Sequence, residues 1–381
     1  MYDILAYGRM ISRPVRFHAY REALRRSVKP GCVVLDMGTG PGIMAMLACQ
    51  FGARKVYAIE PDPIIQVARQ NVAENGLAGR IEFIEGLSTQ VSLPERADVI
   101  VSDLNGTLPW YQQHFASVID ARRRFLAPGG VMIPEKETVW LGVVESAESY
   151  AEHVQAWETG HGFAMQAARE LAVNTRQLVH LRPEDLLAPP QCSLVLDFMR
   201  VEESDSTAEA AISVHRPGVG HGLLVWFDCA LTSDIFFSNA PGYQRSIYGQ
   251  TFFPWSSPVR LEAGDVVRLK LRCNLVADDY VYRWTTEVRS ARAYAEVKAS
   301  FDQSDFRSFP ISPVVLRKGS EAYVPQCAGD GSIDRFILAS MDGKRSLGEI
   351  AACLSQQFPA RFKEPAQALG RVARLSRAYS E

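Results

Sequence analysis

The chain has no excess of either charge: 41 lysines and arginines stand against 43 aspartates and glutamates, a net charge of -2 over 381 residues. Without a basic surplus the general electrostatic footprint of a nucleic-acid binder is missing, and no nucleic-acid partner is expected. Paired cysteines are lacking too. The seven thiols, Cys32, Cys49, Cys192, Cys229, Cys273, Cys327 and Cys353, are scattered, mostly inside apolar runs, with no C-x-x-C pair. They read as reduced core thiols, and no metal is expected. No apolar run approaches the roughly 20 residues that span a bilayer. The N-terminus, Met1-Tyr-Asp-Ile-Leu-Ala-Tyr-Gly, has neither the basic region nor the continuous apolar region of a secretory signal. The expectation is a soluble cytoplasmic protein with no membrane partner.

What is present is enough for packed cores: 47% of the residues are hydrophobic, and a chain of this length is expected to form two or three domains. Up to residue 137, strand-like runs (Cys32–Asp36, Lys55–Glu60, Ile81–Glu85, Ala97–Ser102, Val131–Pro134) alternate with helical stretches such as Ile64–Asn75 and Gln112–Phe125. That alternation predicts an α/β domain, with a parallel sheet and its ligand at the strands' C-terminal ends. From 138 to 305 the runs Thr138–Val144, Cys192–Val201, Gly222–Leu231, Val266–Leu275 and Tyr280–Val288 predict antiparallel β structure. Glu202–Gly220, small and polar, reads as an exposed loop. Residues 306–381 form a third, helical region: Ile333–Met341, Leu347–Phe358 and Pro365–Tyr379 read as helices, with Ser346 as an N-cap.

The first domain carries the chemistry. Val33-Val-Leu-Asp-Met-Gly-Thr-Gly-Pro-Gly-Ile43 followed by Val56-Tyr-Ala-Ile-Glu60 reads as strand, glycine turn, helix and second strand, the frame of a nucleoside pocket. Gly38 and Gly40 permit a sharp turn and close approach of backbone to ligand. Glu60, twenty residues after Gly40, has the offset at which a carboxylate accepts hydrogen bonds from a ribose diol. The dinucleotide pattern G-x-G-x-x-G is not met; the order is Asp36-x-Gly38-x-Gly40-x-Gly42. Asp36 repels a pyrophosphate but attracts an amino-acid ammonium. A nucleotide phosphate ligand and a purely structural turn are the alternatives.

These runs resemble the cofactor site of class I S-adenosylmethionine-dependent methyltransferases. Phe51–Glu60 and Ala127-Pro-Gly-Gly-Val-Met-Ile-Pro134 narrow the resemblance to the protein arginine methyltransferases, as do Trp157–Phe163, His221–Asp228 and Gly249–Trp255 further on. The resemblance covers about the first 290 residues. It implies S-adenosyl-L-methionine as cofactor, a Rossmann-like domain followed by a β-barrel, and a homodimer whose arm follows Phe163. Tyr7-Gly-Arg-Met10, Arg16 and Tyr20 match the family's cofactor-covering segment, which implies that Arg16 binds the methionine carboxylate; otherwise Arg16 is one of several solvated arginines. Asp36, Gly38 and Gly40 match the methionine-proximal turn, Glu60 the ribose partner and Pro61 a residue beneath adenine. Ser88 and Thr89 fall at the adenine edge, where the family has an acidic residue.

On the acceptor side the sequence departs from that pattern. The family grips a guanidinium with two glutamates on one loop; in Ser102–Gln113 here, Asp103 stands at the first position and Gln112 at the second. The family's Thr-His-Trp triplet aligns with Ser246-Ile-Tyr248. Each charge-assisted bond is worth about 1.5–3 kcal/mol, so losing one carboxylate weakens a guanidinium clamp severely. The sequence therefore predicts methyl transfer to a peptide, protein or small-molecule acceptor other than ordinary protein arginine. Arginine methylation through other carboxylates, and a catalytically silent binding protein, are the alternatives. Asp103 is a candidate base or anchor, or else a strand-end carboxylate bonding the Asn105-Gly106 turn; His114 is a candidate base or a structural histidine. The last 75 residues resemble a PqqD-like or winged-helix-like module, through Met341-Asp-Gly-x-x-Ser-Leu-x-Glu-Ile350. Such a module implies either leader-peptide capture or a packing appendage.

Overall fold

The computed structural model describes residues 3–159, 162–244, 247–292 and 296–380. The chain divides into two compact units, residues 1–310 and Ile311–Glu381. The first opens with helix α1 (Ile4–Ser12), capped by Asp3, whose Oδ1 accepts the Ala6 N–H at 2.6 Å. Helix α2 (Pro14–Ser27) follows with Pro14 in its first turn, where a missing N–H costs nothing.

Strands β1 (Val33–Met37), β2 (Lys55–Glu60), β3 (Ile81–Glu85), β4 (Ala97–Ser102) and β5 (Leu126–Ile133) form one parallel sheet in the order β3-β2-β1-β4-β5. Strand β1 is buried along its whole length, as a central strand covered on both faces must be. Helices α3 (Ile43–Gln50), α4 (Ile65–Glu74) and α5 (His114–Phe125) connect the strands. The order reverses between β1 and β4, which opens a crevice at their C-terminal ends. Strand β5 begins five residues before the expected Val131. Ala127-Pro-Gly-Gly130 reads as a turn, yet its backbone continues the strand through a register shift opposite Ala97 and Val99.

The rest of this unit is antiparallel. Strands β6 (Lys136–Val144), β7 (Gln177–Val179), β8 (Gln191–Asp197), β10 (Gly218–Ala230), β11 (Phe236–Ser238) and β12 (Gln250–Leu261) form one sheet; β9 (Ser206–Ser213), β13 (Val266–Val276), β14 (Asp279–Arg289) and β15 (Val297–Ser304) form another. The expected loop Glu202–Gly220 instead contains β9 and the start of β10. Small residues masked its alternation: Ala208, Ala210 and Ile212 turn inward, and pairing with β13 supplies the order. Between β6 and β7 the chain forms the short helices α6 (Ala147–Tyr150), α7 (Ala156–Thr159) and α8 (Gln166–Val173). One hydrophobic cluster joins Leu35 and Ile100 of the parallel sheet, Phe115 and Val118 of α5, and Val143, Phe253 and Trp284 of the antiparallel sheets.

The second unit begins with the exposed α9 (Pro313–Lys318) and packs α10 (Gly329–Ser340), α11 (Leu347–Gln357) and α12 (Pro365–Tyr379) around Ile337, Leu354 and Val372. Helix α9 was not expected. Ser346 caps α11: its Oγ accepts the Glu349 N–H at 3.3 Å while a Glu349 carboxylate oxygen accepts the Ser346 N–H at 2.8 Å. No strand occurs among the described residues of this unit, so a wing is not part of its regular structure.

Candidate active site

A cavity of about 330 Å³ lies at the C-terminal ends of β1, β2 and β4, and is covered by α1 and the start of α2. The glycine turn forms one wall. Gly38 (φ 71°) and Gly40 (φ 52°) take backbone angles that L side chains rarely adopt. A Cβ at Gly38 would meet Leu104 at 2.6 Å, and one at Gly40 would meet Tyr7 at 2.7 Å. Both wall residues thus sit where only glycine leaves room for them. Glu60 ends β2 beneath this turn: its Oε2 accepts the Gly40 N–H at 2.9 Å and its Oε1 accepts the Asp62 N–H at 3.0 Å. Burial pushes its carboxyl up. A carboxylate offers about four acceptor sites, so each oxygen keeps one for a ligand hydroxyl.

Asp36 is buried at the end of β1, and Thr39 Oγ1 donates to its Oδ2 at 2.5 Å. Burial raises the Asp36 carboxyl to about 7, the Thr39 bond opposing that rise only in part. Pro61 and Ser88 line the cavity. Thr89 does not: it is exposed, because the turn after β3 aims Ser88 inward and its neighbour out. Its predicted cofactor contact is corrected accordingly.

Arg16 is buried rather than solvated. Its guanidinium pairs with the Asp103 carboxylate, and its Nε donates to the Tyr248 hydroxyl at 3.1 Å. Tyr248 donates in turn to Asp103 Oδ1 at 2.9 Å, and Tyr20 donates to Asp103 Oδ1 at 3.3 Å and to the Ser102 carbonyl at 3.1 Å. Asp103 is therefore held from α2 and from the segment before β12, with contacts well beyond its own turn. The triplet position at Ser246 lies outside the described residues.

Gln112 lines the cavity in a left-handed conformation (φ 45°), its N–H donating to Asp279 Oδ1 at 3.2 Å. Gln113 Nε2 donates to the Ala277 carbonyl at 2.8 Å, so the turn between β13 and β14 pins the acceptor loop. His114 borders the cavity but is 3% exposed, packed on Phe115 and Phe198, with Nδ1 2.9 Å from the Pro109 carbonyl oxygen. Burial lowers it to about 4. A neutral, packed ring of such low basicity is a wall, which corrects its reading as a base.

Sequence reasoning gave Tyr248 no place in the cavity, which it lines together with Asn105 and Tyr111 of the loop. Tyr248 lies 232 residues from Arg16, so no local spacing signals their contact. It also missed Glu137, a buried carboxyl to which Asn105 Nδ2 donates. Among the described residues no group of three or more His, Cys, Asp or Glu side chains is placed to hold a metal, and no helix is long and apolar enough to cross a membrane.

Residues 135–287 match the arginine methyltransferase oligomerization subdomain, and residues 21–133 match the family of the ribosomal protein L11 methyltransferase. Protein arginine N-methyltransferase PRMT10 of Arabidopsis thaliana is 30% identical over 303 residues, which cover 69% of this chain and 78% of that protein. Protein arginine N-methyltransferase 1 of Dictyostelium discoideum is 26% identical over 272 residues, 69% of this chain and 80% of the relative. Among solved structures, the open conformation of Arabidopsis PRMT10 superposes with a TM-score of 0.70 at 27% identity, over 79% of this chain and 97% of that one. The Trypanosoma brucei PRMT1 enzyme-prozyme complex with AdoHcy gives 0.72 at 23% identity, over 78% and 96%, a likeness of fold.

Proposed function

We propose, from the premise that this chain belongs to the protein arginine methyltransferase family and is an S-adenosylmethionine-dependent methyltransferase, that it methylates a peptide, protein or small-molecule acceptor other than ordinary protein arginine. The observation that carries this reading is the acceptor loop, where Asp103 is the one carboxylate lining the wall and Gln112 is neutral. The cavity suits the cofactor: the glycine turn admits backbone contact, Glu60 keeps acceptor capacity for a ribose diol, Asp36 faces the amino-acid end, and Pro61 and Ser88 border the adenine side. Bound there, S-adenosylmethionine supplies an electrophilic methyl group.

Arg16 pairs with Asp103 and keeps further guanidinium N–H donors with which it holds the methionine carboxylate. Asp103, positioned by Tyr20 and Tyr248, accepts a hydrogen bond from the incoming nucleophile and orients its lone pair, and Gln112 contributes an amide at the rim. Domain bounds of 1–137, 138–305 and 306–381 belong to this proposal, as does a homodimer in a cytoplasmic setting. Exposed Met165, on the segment read as the arm, and Phe163 just before it support the dimer. For the terminal unit, packing or regulation is the simpler role and leader-peptide capture the other.

That the relatives are named as arginine N-methyltransferases favours a second reading, guanidine methylation with other carboxylates. Mass spectrometry of methyl incorporation separates the two: arginine peptides should remain unmodified while a component of cell extract gains methyl groups. Turnover on arginine peptides at rates typical of an enzyme would establish the second reading. Asp103→Ala should leave cofactor affinity within a few fold and abolish turnover.

A further inference from the structure

Glu137, near the start of β6, is fully buried behind the acceptor loop. Asn105, two residues after Asp103, lines the cavity on one side and donates its Nδ2 to Glu137 on the other. In the strand register Glu137 stands opposite Cys229 of β10 and Leu196 of β8. The Cys229 thiol hydrogen-bonds the same carboxyl. Two atoms of this cluster are buried without a hydrogen-bond partner among the described residues: Glu137 Oε2 and Asn105 Oδ1. Buried polar atoms are nearly always satisfied, so an orphaned pair beside a cavity calls for a ligand or another explanation.

Glutamate is a strange residue here if packing were the only demand. Leucine or methionine would fill the space without desolvating a carboxyl, a cost of several kcal/mol for an ion taken from water. The arrangement has a directional consequence: a carboxylate only accepts hydrogen bonds, so it draws the amide nitrogen of Asn105 toward itself. The Asn105 carbonyl oxygen is itself buried, so the bond to Glu137 fixes where this stretch of the loop lies rather than offering the cavity a group. Asp103, two residues earlier on the same loop, is the acceptor that lines the cavity.

Resting on the function proposed above, we propose that Glu137 is a positioning residue that fixes Asn105 and, through it, the loop that presents Asp103 to an acceptor group carrying N–H or O–H donors. Glu137 thus acts from behind the loop, with no carboxyl of its own in the cavity. The site binds the hydrogens next to the nucleophile from one side of the loop rather than gripping a cation between two carboxylates.

The test uses the full chain, labelled S-adenosylmethionine and cell-extract protein as the methyl acceptor. Glu137→Gln keeps shape but lets an amide face Asn105. It should leave cofactor affinity by calorimetry within twofold and reduce methyl transfer at least about tenfold, the scale of one charge-assisted bond. Asn105→Ala should lose a similar factor. Because Glu137 acts through Asn105, the double variant should be no slower than Asn105→Ala alone. Unchanged transfer by Glu137→Gln, or losses that multiply, would overturn the proposal.

If the wild type transfers no methyl group, the functional reading fails by itself, and the Asn105 side-chain amide signal in asparagine-labelled protein decides the contact. Cys229, Tyr20, Arg16 and Asp103 are the other titratable or charged groups around it. The signal should shift between the wild type and Glu137→Gln at one pH; an Asn105 amide signal that the substitution leaves unmoved overturns the proposal.

Discussion

Replacing Glu60 with glutamine removes one acceptor oxygen without changing the shape of the side chain. In the native site both oxygens are engaged, Oε2 by the Gly40 N–H at 2.9 Å and Oε1 by the Asp62 N–H at 3.0 Å. The amide NH2 of glutamine cannot accept, so in either orientation it faces a backbone donor. Leaving one buried N–H unsatisfied costs about 1–3 kcal/mol of folding stability. That cost is present with or without cofactor and does not enter the affinity. What the affinity loses is a charge-assisted bond to one ribose hydroxyl, worth about 1.5–3 kcal/mol, or roughly 10- to 150-fold in Kd. Calorimetric titration with S-adenosylmethionine measures the second effect and a melting curve the first. A folded Glu60→Gln protein that binds within twofold of the wild type would refute the assignment of Glu60 to the ribose.

Gly40→Ala should abolish cofactor binding while the fold survives: at φ 52° the new Cβ meets the Tyr7 ring at 2.7 Å, and equilibrium dialysis reads the loss. Burial lifts the Glu137 carboxyl from 4.5 to about 7. The folded chain therefore holds a proton that the unfolded chain releases. This group's contribution is full below pH 4.5 and lost as pH rises through 7, by about 3 kcal/mol at most. Glu137→Gln should flatten that part of the stability profile in urea titrations at pH 5 and pH 8; an unaltered slope would locate the effect elsewhere, for example at Asp36, which burial also raises to about 7. In the terminal unit, Leu354→Ala should cost about 2–5 kcal/mol, as for other fully buried leucines. Ser346→Ala should cost about 1 kcal/mol through the lost cap. Hydrogen exchange across α10 to α12 reports both.

The cofactor half of the site was legible in the sequence because it is local. Asp36, Gly38, Gly40 and Glu60 lie within 25 consecutive positions, and a strand, a turn, a helix and a second strand suffice to bring them together. Their roles follow from backbone geometry, which residue type and spacing encode. Side-chain direction at an irregular turn is not encoded that way: Ser88 faces the cavity and Thr89 faces solvent. Strand β9 was hidden for a related reason, since Ser206–Ser213 carries almost no hydrophobic alternation and is ordered by the strand beside it.

The acceptor half was decided by tertiary structure. The sequence by itself determined that the loop Ser102–Gln113 carries one carboxylate, Asp103, and a neutral Gln112, and hence how little negative charge it holds. Only folding decided that Asp103 meets Arg16, Tyr20 and Tyr248, that His114 turns onto Phe115 and Phe198, and that Glu137 stands behind Asn105. Those contacts join residues up to 145 positions apart. Their energies depend on burial and distance, which exist only once the parallel and antiparallel sheets have packed on one core.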